Sequence, residues 1–194
     1  MTGGAPFASR RPLSPADEAC AGRDPVALAR VLATSPDPTG SLRRALVKAC
    51  ADVAHDRLVR DRAEEHGDPS AGPRAVAVYR RELTLAIDAA RSWAAGAADA
   101  AAKLAGARLD PERVYAVAWR RSEVAFPFQH RGLAALEAVA WLLALVDVAG
   151  DELPAVVASL VATIAASERC LTSRVRADLG ERIAAGVPRP PAAA

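Results

Sequence analysis

Histidine is the side chain most often used as an acid, a base or a metal ligand near neutral pH. This chain has three, His55, His66 and His130. His130 has the most suggestive surroundings. It follows Phe126-Pro127-Phe128-Gln129, a proline break that would angle two aromatic rings and an imidazole into one place, and Glu123 stands one turn before that break. A carboxylate and an imidazole so placed could line a small-molecule pocket. Arg113, Arg120, Arg121 and Arg131 recur around the same point and could face an acidic partner or a phosphate. The candidate ligand or partner residues are therefore Arg120, Glu123, Phe126, Phe128, His130 and Arg131. Neither E-x-x-H nor H-E-x-x-H spacing occurs, so nothing here recruits a metal. The plainer reading is a capped kink with a half-buried histidine, its arginines forming the solvated side of a helix.

Other chemistry is thinner. His55 lies beside Asp56 and one turn from Asp52, which reads as a charge pair on a helix face, and His66 falls in a turn. Cys50 has Lys48 nearby, and a cation can lower a thiol pKa. Its place on the apolar edge of a helix makes it a core residue instead. Cys20, Cys50 and Cys170 are far apart and odd in number, which excludes a disulfide framework or a zinc site and suits reduced thiols in a cytoplasmic protein. The nucleophile elbow, the phosphate-binding loop and the dinucleotide glycine pattern are all missing, so neither a catalytic residue nor a cofactor is implied. With 25 basic against 23 acidic residues the net charge is only +2, too near balance for electrostatic nucleic-acid binding.

The elements that must carry these residues are helices. Hydrophobic residues make up 52% of the chain but aromatics only 4%, because about a quarter of all positions are alanine, the strongest helix former. Spacing agrees. Leu42, Leu46, Ala49, Val53 and Leu58 follow a helical repeat within 41–65, with Arg43, Lys48, Asp52, Asp56 and Arg60 outside it. Val76, Tyr79, Leu83, Ile87, Ala90 and Trp93 form the clearest stripe, within 74–95, and Gly96 is placed to cap it. Shorter helices are predicted over 14–22, from Asp24-Pro25 to about 34, over 97–105, and from Asp110-Pro111 to the break at Phe126-Pro127. A broadly apolar helix over 128–149 must be central, and a last one runs from 151 or 153 to 179 with Pro154 in its first turn. Trp93, Trp119 and Trp141, on three helices, are expected to share one cluster.

The fold class is thus all-α: a single bundle of six to eight helices over 14–186, around an apolar hairpin at 128–166. Residues 1–13 and the tail 187–194 are rich in Gly, Pro, Ser or Ala and read as disordered. The run 132–150 approaches the length of a membrane span. It carries Glu137 and Asp147, each costly at a bilayer centre, and 153–166 is too short to cross, so a buried hairpin is expected and not a membrane one.

One segment has a resemblance. Ile87-Asp88-Ala89-Ala90-Arg91-Ser92-Trp93-Ala94-Ala95-Gly96 resembles the A-A-R-x-W-x-x-G segment of small all-helical immunity proteins from bacterial polymorphic-toxin systems. Ala49-Cys50-Ala51 and Asp68-Pro69 stand where that family has an A-C-A helix and a Pro/Asp turn, and the stretch from His130 to Leu143 matches its histidine-bearing apolar helix. The resemblance spans about 42–148 and departs from the family at the long third helix, the Phe126-Pro127-Phe128 break and the extra terminal helices. It implies a protein that binds and blocks a cognate toxin without catalysis. The expected function is therefore a non-enzymatic, immunity-like protein with a protein partner, and a homo-oligomer is compatible with it. The alternative is a helical small-molecule-binding or accessory enzyme with its pocket near Glu123 and His130.

Overall fold

The computed structural model describes residues 24–34, 40–60, 73–107, 126–148 and 150–186, with side chains described in these segments except at 60, 73–79, 126–133 and 186. Seven α-helices occur among the described residues, and no strand does. The expected helices over 14–22 and from Asp110 fall outside them, as do both predicted tails.

Asp24 and Pro25 open the first helix as their order dictates. The Asp24 carboxylate accepts from the Val26 amide at 3.0 Å, and Pro25 sits at the first position of α1 (Pro25–Thr34), where its missing N–H costs nothing. Helix α2 (Ser41–His55) follows Gly40, whose φ of 63° is a left-handed conformation that glycine adopts freely. Its second half buries Ala49, Cys50, Ala51, Val53 and Ala54. The sequence predicts one helix over 41–65. Instead the α-helix gives way to a π turn at Asp56–Arg60. The apolar repeat steps by five residues from Val53 to Leu58, and the wider π turn keeps both side chains in the core.

Helix α3 (Pro73–Ala94) buries Leu83, Ile87 and Ala90 as the stripe predicts, with Trp93 half-buried against them. Gly96 caps it. Its φ is 69°, its amide donates to the Trp93 carbonyl at 2.9 Å, and Ala97 reaches back to Ser92 at 2.9 Å, a Schellman pair. Helix α4 (Ala100–Ala107) runs through Gly106, two residues beyond the predicted end.

Helices α5 (Phe126–Asp147) and α6 (Leu153–Glu168) form the predicted central hairpin and share the most extensive interface in the fold. Helices α2 and α3 pack on α5, while α1 and α7 (Thr172–Gly186) pack on α6. Leu142, Leu145, Leu160 and Ile164 are almost wholly buried in this centre, each contributing about 1.5–3 kcal/mol. Around them, Ala51, Ala54, Ala86, Ala89, Ala135 and Ala138 are also buried, and such small side chains let helix axes approach closely. Glu137 and Asp147 both stand exposed on α5, so neither belongs to a buried ion pair. Among the described residues the stretch long and apolar enough to cross a membrane is Gly150–Glu168, with 44% of it buried within the fold. The sequence points to 132–150 as the nearer approach; the three residues before α6 supply the missing length.

The predicted single helix from 151 or 153 to 179 is two. Arg169 takes φ 54°, its amide donates to Ala166 at 3.3 Å, and Cys170 donates to Ala165 at 3.0 Å. That is again a Schellman end, but with arginine where glycine is usual. Neither Gly nor Pro marks the break, which is why spacing alone runs through it. An L-residue in this conformation costs about 1–2 kcal/mol. Arg169→Gly should therefore raise the stability of the fold by up to about 1 kcal/mol, part of the gain being lost to the freer unfolded chain. Chemical denaturation of the two proteins checks it, and a lowered midpoint would show that the arginine side chain itself holds the turn.

Candidate functional site

The sequence-predicted cluster is only partly within view. Arg120 and Glu123 fall outside the described residues, and at Phe126, Phe128, His130 and Arg131 only the backbone is described. That backbone corrects one expectation. Phe126 begins α5 and Pro127 is its second residue, so the helix starts two residues before the predicted 128. Proline is tolerated there because the first amides of a helix have no partner to lose. In register, positions 126 and 130 are one turn apart on the same side, while 128 lies about half a turn round.

Where side chains are described, the charged groups converge on the π turn after α2. The Arg57 guanidinium is only 14% exposed; its Nη1 donates to Glu168 Oε2 at 2.6 Å and its Nε to Asp178 Oδ2 at 3.1 Å. Arg182 continues the network, donating to Asp178 at 3.2 Å and to Asp56 at 2.6 Å. His55 Nδ1 stands 3.3 Å from the other Asp56 oxygen. Burial alone would lower the Arg57 pKa, but Glu168 and Asp178 outweigh it and hold the guanidinium firmly charged. Sequence spacing missed this network because its members lie 111 and 121 residues apart from Arg57. The one local signal was the five-residue step that turns Arg57 inward.

A second cluster ties α2 to α3. Arg91 donates to Asp52 Oδ1 at 2.9 Å through Nε, with Nη2 also 2.9 Å away, and Lys48 holds the other oxygen at 2.8 Å. Burial works to raise the Asp52 pKa, yet Lys48 and Arg91 prevail and keep it below the ordinary carboxylate value. A carboxyl depressed in the folded state adds stability above its unfolded pKa and loses it as pH falls through the folded one. Asp52→Asn should cost about 1 kcal/mol at neutral pH, and the gap from wild type should close below about pH 4. Urea midpoints at pH 7 and pH 3 would check it; an equal gap at both would mean the ion pairs contribute nothing.

Two further groups are fixed in place. Burial pushes the Cys50 thiol up to about 12, so it stays protonated and inert at neutral pH, as its core position predicts. Arg43, expected outside the apolar repeat, instead turns inward and donates through Nη2 to the carbonyls of Leu145 and Val146, each at 3.0 Å, and of Val148. Among the described residues no group of three His, Cys, Asp or Glu side chains could hold a metal ion. What this arrangement does is join helices, with each carboxylate of the two clusters engaged by a cation.

The surface offers a different kind of feature. Helix α6 has no charged residue between Leu153 and Ser167. Its outward side carries Ala155, Ala162 and Ala166 exposed, with Ala158, Ser159 and Thr163 half-buried at the margins. Leu171, just past its end, is 76% exposed. Comparison with known proteins adds no relative: no family model, no curated protein and no solved structure matches the chain.

Proposed function

We propose that this protein is a non-catalytic helical module that works by protein–protein association, and that the outward side of α6 is an interaction face. The observation that carries the reading is that uncharged, alanine-lined side, partly open to water on a helix whose other sides are packed into the core. Small side chains give little transfer energy to water-facing surface but let a second helix come close, which suits a helix partner.

The likeness of residues 87–96 to immunity proteins gives the reading its specific form, a stoichiometric binder that blocks a cognate toxin. Within the fold, that segment has structural duties. Ala89 and Ala90 are buried, Arg91 pairs with Asp52, Trp93 packs on the core and Gly96 caps α3. Such a motif would mark a shared fold, while the choice of partner would belong to other surfaces.

The test is assembly mass. Tagged chain purified from cells co-expressing the products of adjacent genes should elute well above 20.2 kDa by light scattering. Ala162→Arg, at an exposed position, should elute lighter with an unchanged circular dichroism spectrum. Wild type at monomer mass under all conditions would refute the proposal. The immunity form further requires that co-expression suppress the toxicity of a neighbouring gene's product.

A further inference from the structure

The charges at the two ends of α6 specify what can lie on it. Asp151 and Glu152 precede the helix by a single turn, Asp147 lies just before them, and all three are exposed. At the other end Arg169, Arg174 and Arg176 are exposed. None of these six has an ion-pair partner among the described residues, and those that flank α6 directly, Asp151 and Glu152 before it and Arg169 after it, are opposite in sign. Positions 155, 159, 162 and 166 step by four or three along one line of α6, the seam spacing of a helix that packs lengthwise on another, with Asp151 in the turn before it and Arg169 just past its end.

We propose that the occupant of this face is a second copy of the chain, with the two α6 helices antiparallel about a two-fold axis passing between Ser159 and Ala162. This rests on the reading of α6 as an interaction face. In that arrangement Asp151 and Glu152 of each copy meet Arg169 of the other, Ser159 meets Ala162 at the middle, and Ala155 meets Ala166 on either side of it. A parallel pairing would set acid on acid and arginine on arginine. A partner helix of another protein would need the same charges in the same order, a condition that this chain already meets. A bilayer fits less well, because the acidic end would sit against its headgroups and the alanines would bury little apolar area.

Size sets the affinity. Helix α6, of 16 residues, is about 24 Å long, and a strip of that length one helix wide buries a few hundred Å² on each copy, below the roughly 800 Å² per partner of stable complexes. The dimer should therefore have a dissociation constant on the order of micromolar or weaker, and it is sought at tens to hundreds of micromolar.

Sedimentation equilibrium of the full chain over that range, with charge-swapped variants, tests it. Wild type should dimerise. Arg169→Glu alone, and Asp151→Arg with Glu152→Arg, should each weaken self-association by about tenfold or more through like-charge contact. An equimolar mixture of those two variants should recover dimer, because only the mixed pair restores opposite charges at both ends. Recovery in the mixture is a result that damaged folding could not produce. If wild type is monomeric throughout but gains mass with another protein, and Ala162→Arg abolishes that gain, the self-pairing is wrong and the proposed function stands. If Ala162→Arg changes no assembly, both fail. Dimerisation unaffected by either charge variant overturns the antiparallel seam, and so does a monomer that sediments with anionic lipid vesicles.

Discussion

Arg57→Ala should lower the stability of this protein by about 3–5 kcal/mol, the cost of stranding buried charge. Arg57 is 14% exposed, and the carboxylate it touches at 2.6 Å, Glu168, is 16% exposed. Asp178, at 3.1 Å, is 28% exposed and keeps Arg182 as a second partner. Removing the guanidinium leaves Glu168 without its partner at the end of α6, where the helix dipole also disfavours negative charge. For a chain of this size, that loss corresponds to a fall in melting temperature of about 10 °C or more. Arg57→Met keeps most of the stem and should be nearly as costly, since the penalty comes from the orphaned carboxylate and not from lost packing. Adding Glu168→Gln to Arg57→Met should return a substantial part of the loss, because no unpaired charge then remains on α6. A loss below about 1 kcal/mol in the first variant would mean that the network is solvated and worth no more than a surface pair.

How much of this was legible from residues alone divides along physical lines. Periodicity is a local property, and Leu83, Ile87 and Ala90 on α3 or Leu136, Val139 and Val146 on α5 lie buried where it puts them. Caps are local as well. Asp24-Pro25 and Gly96 each announce a helix end through side-chain or backbone chemistry confined to a few residues. Arg169 has no such chemistry. It occupies a glycine conformation because helices on either side dock separately, α6 against α5 and α7 against α2 and α6, and those contacts are non-local. The ion pairs are non-local for the same reason, and so Asp56 reads as solvent-facing when it belongs to a network with Arg57 and Arg182. Of the candidate site only the backbone from Phe126 onward lies among the described residues. A proline after Phe126 signals an interruption of whatever helix precedes it, but it is equally compatible with the first turn of the next one. Only the backbone decides between them, and it begins α5 there.

Arg43 carries the other large expected effect, and it shows how a polar residue can be what holds an apolar hairpin in place. A helix leaves its last carbonyls without intrahelical donors, and the last turn of α5, with Leu145 and Val146 buried, lies in a helix packed against α6 and α2. Arg43, on the first turn of α2 and about a hundred residues away in sequence, brings its charged Nη2 to the Leu145 and Val146 carbonyls at 3.0 Å and to that of Val148. Hydrogen bonds from a charged donor contribute about 1.5–3 kcal/mol, and a cation at the negative end of a helix adds up to about 2 kcal/mol where it is partly buried. Arg43→Ala should therefore cost about 2–4 kcal/mol. Arg43→Met, with the stem but no charge, should recover little of this, and Arg43→Lys should recover part, since an ammonium can bond the carbonyls but not with the planar reach of a guanidinium. Hydrogen exchange should locate the damage. Amides at the end of α5 and the start of α6 should lose protection in Arg43→Ala before those of α3 do, because it is the α5–α6 turn that loses its anchor. Equal loss in Met and Lys variants would assign the effect to packing of the stem, and unchanged protection at that turn would show the carbonyls satisfied by water.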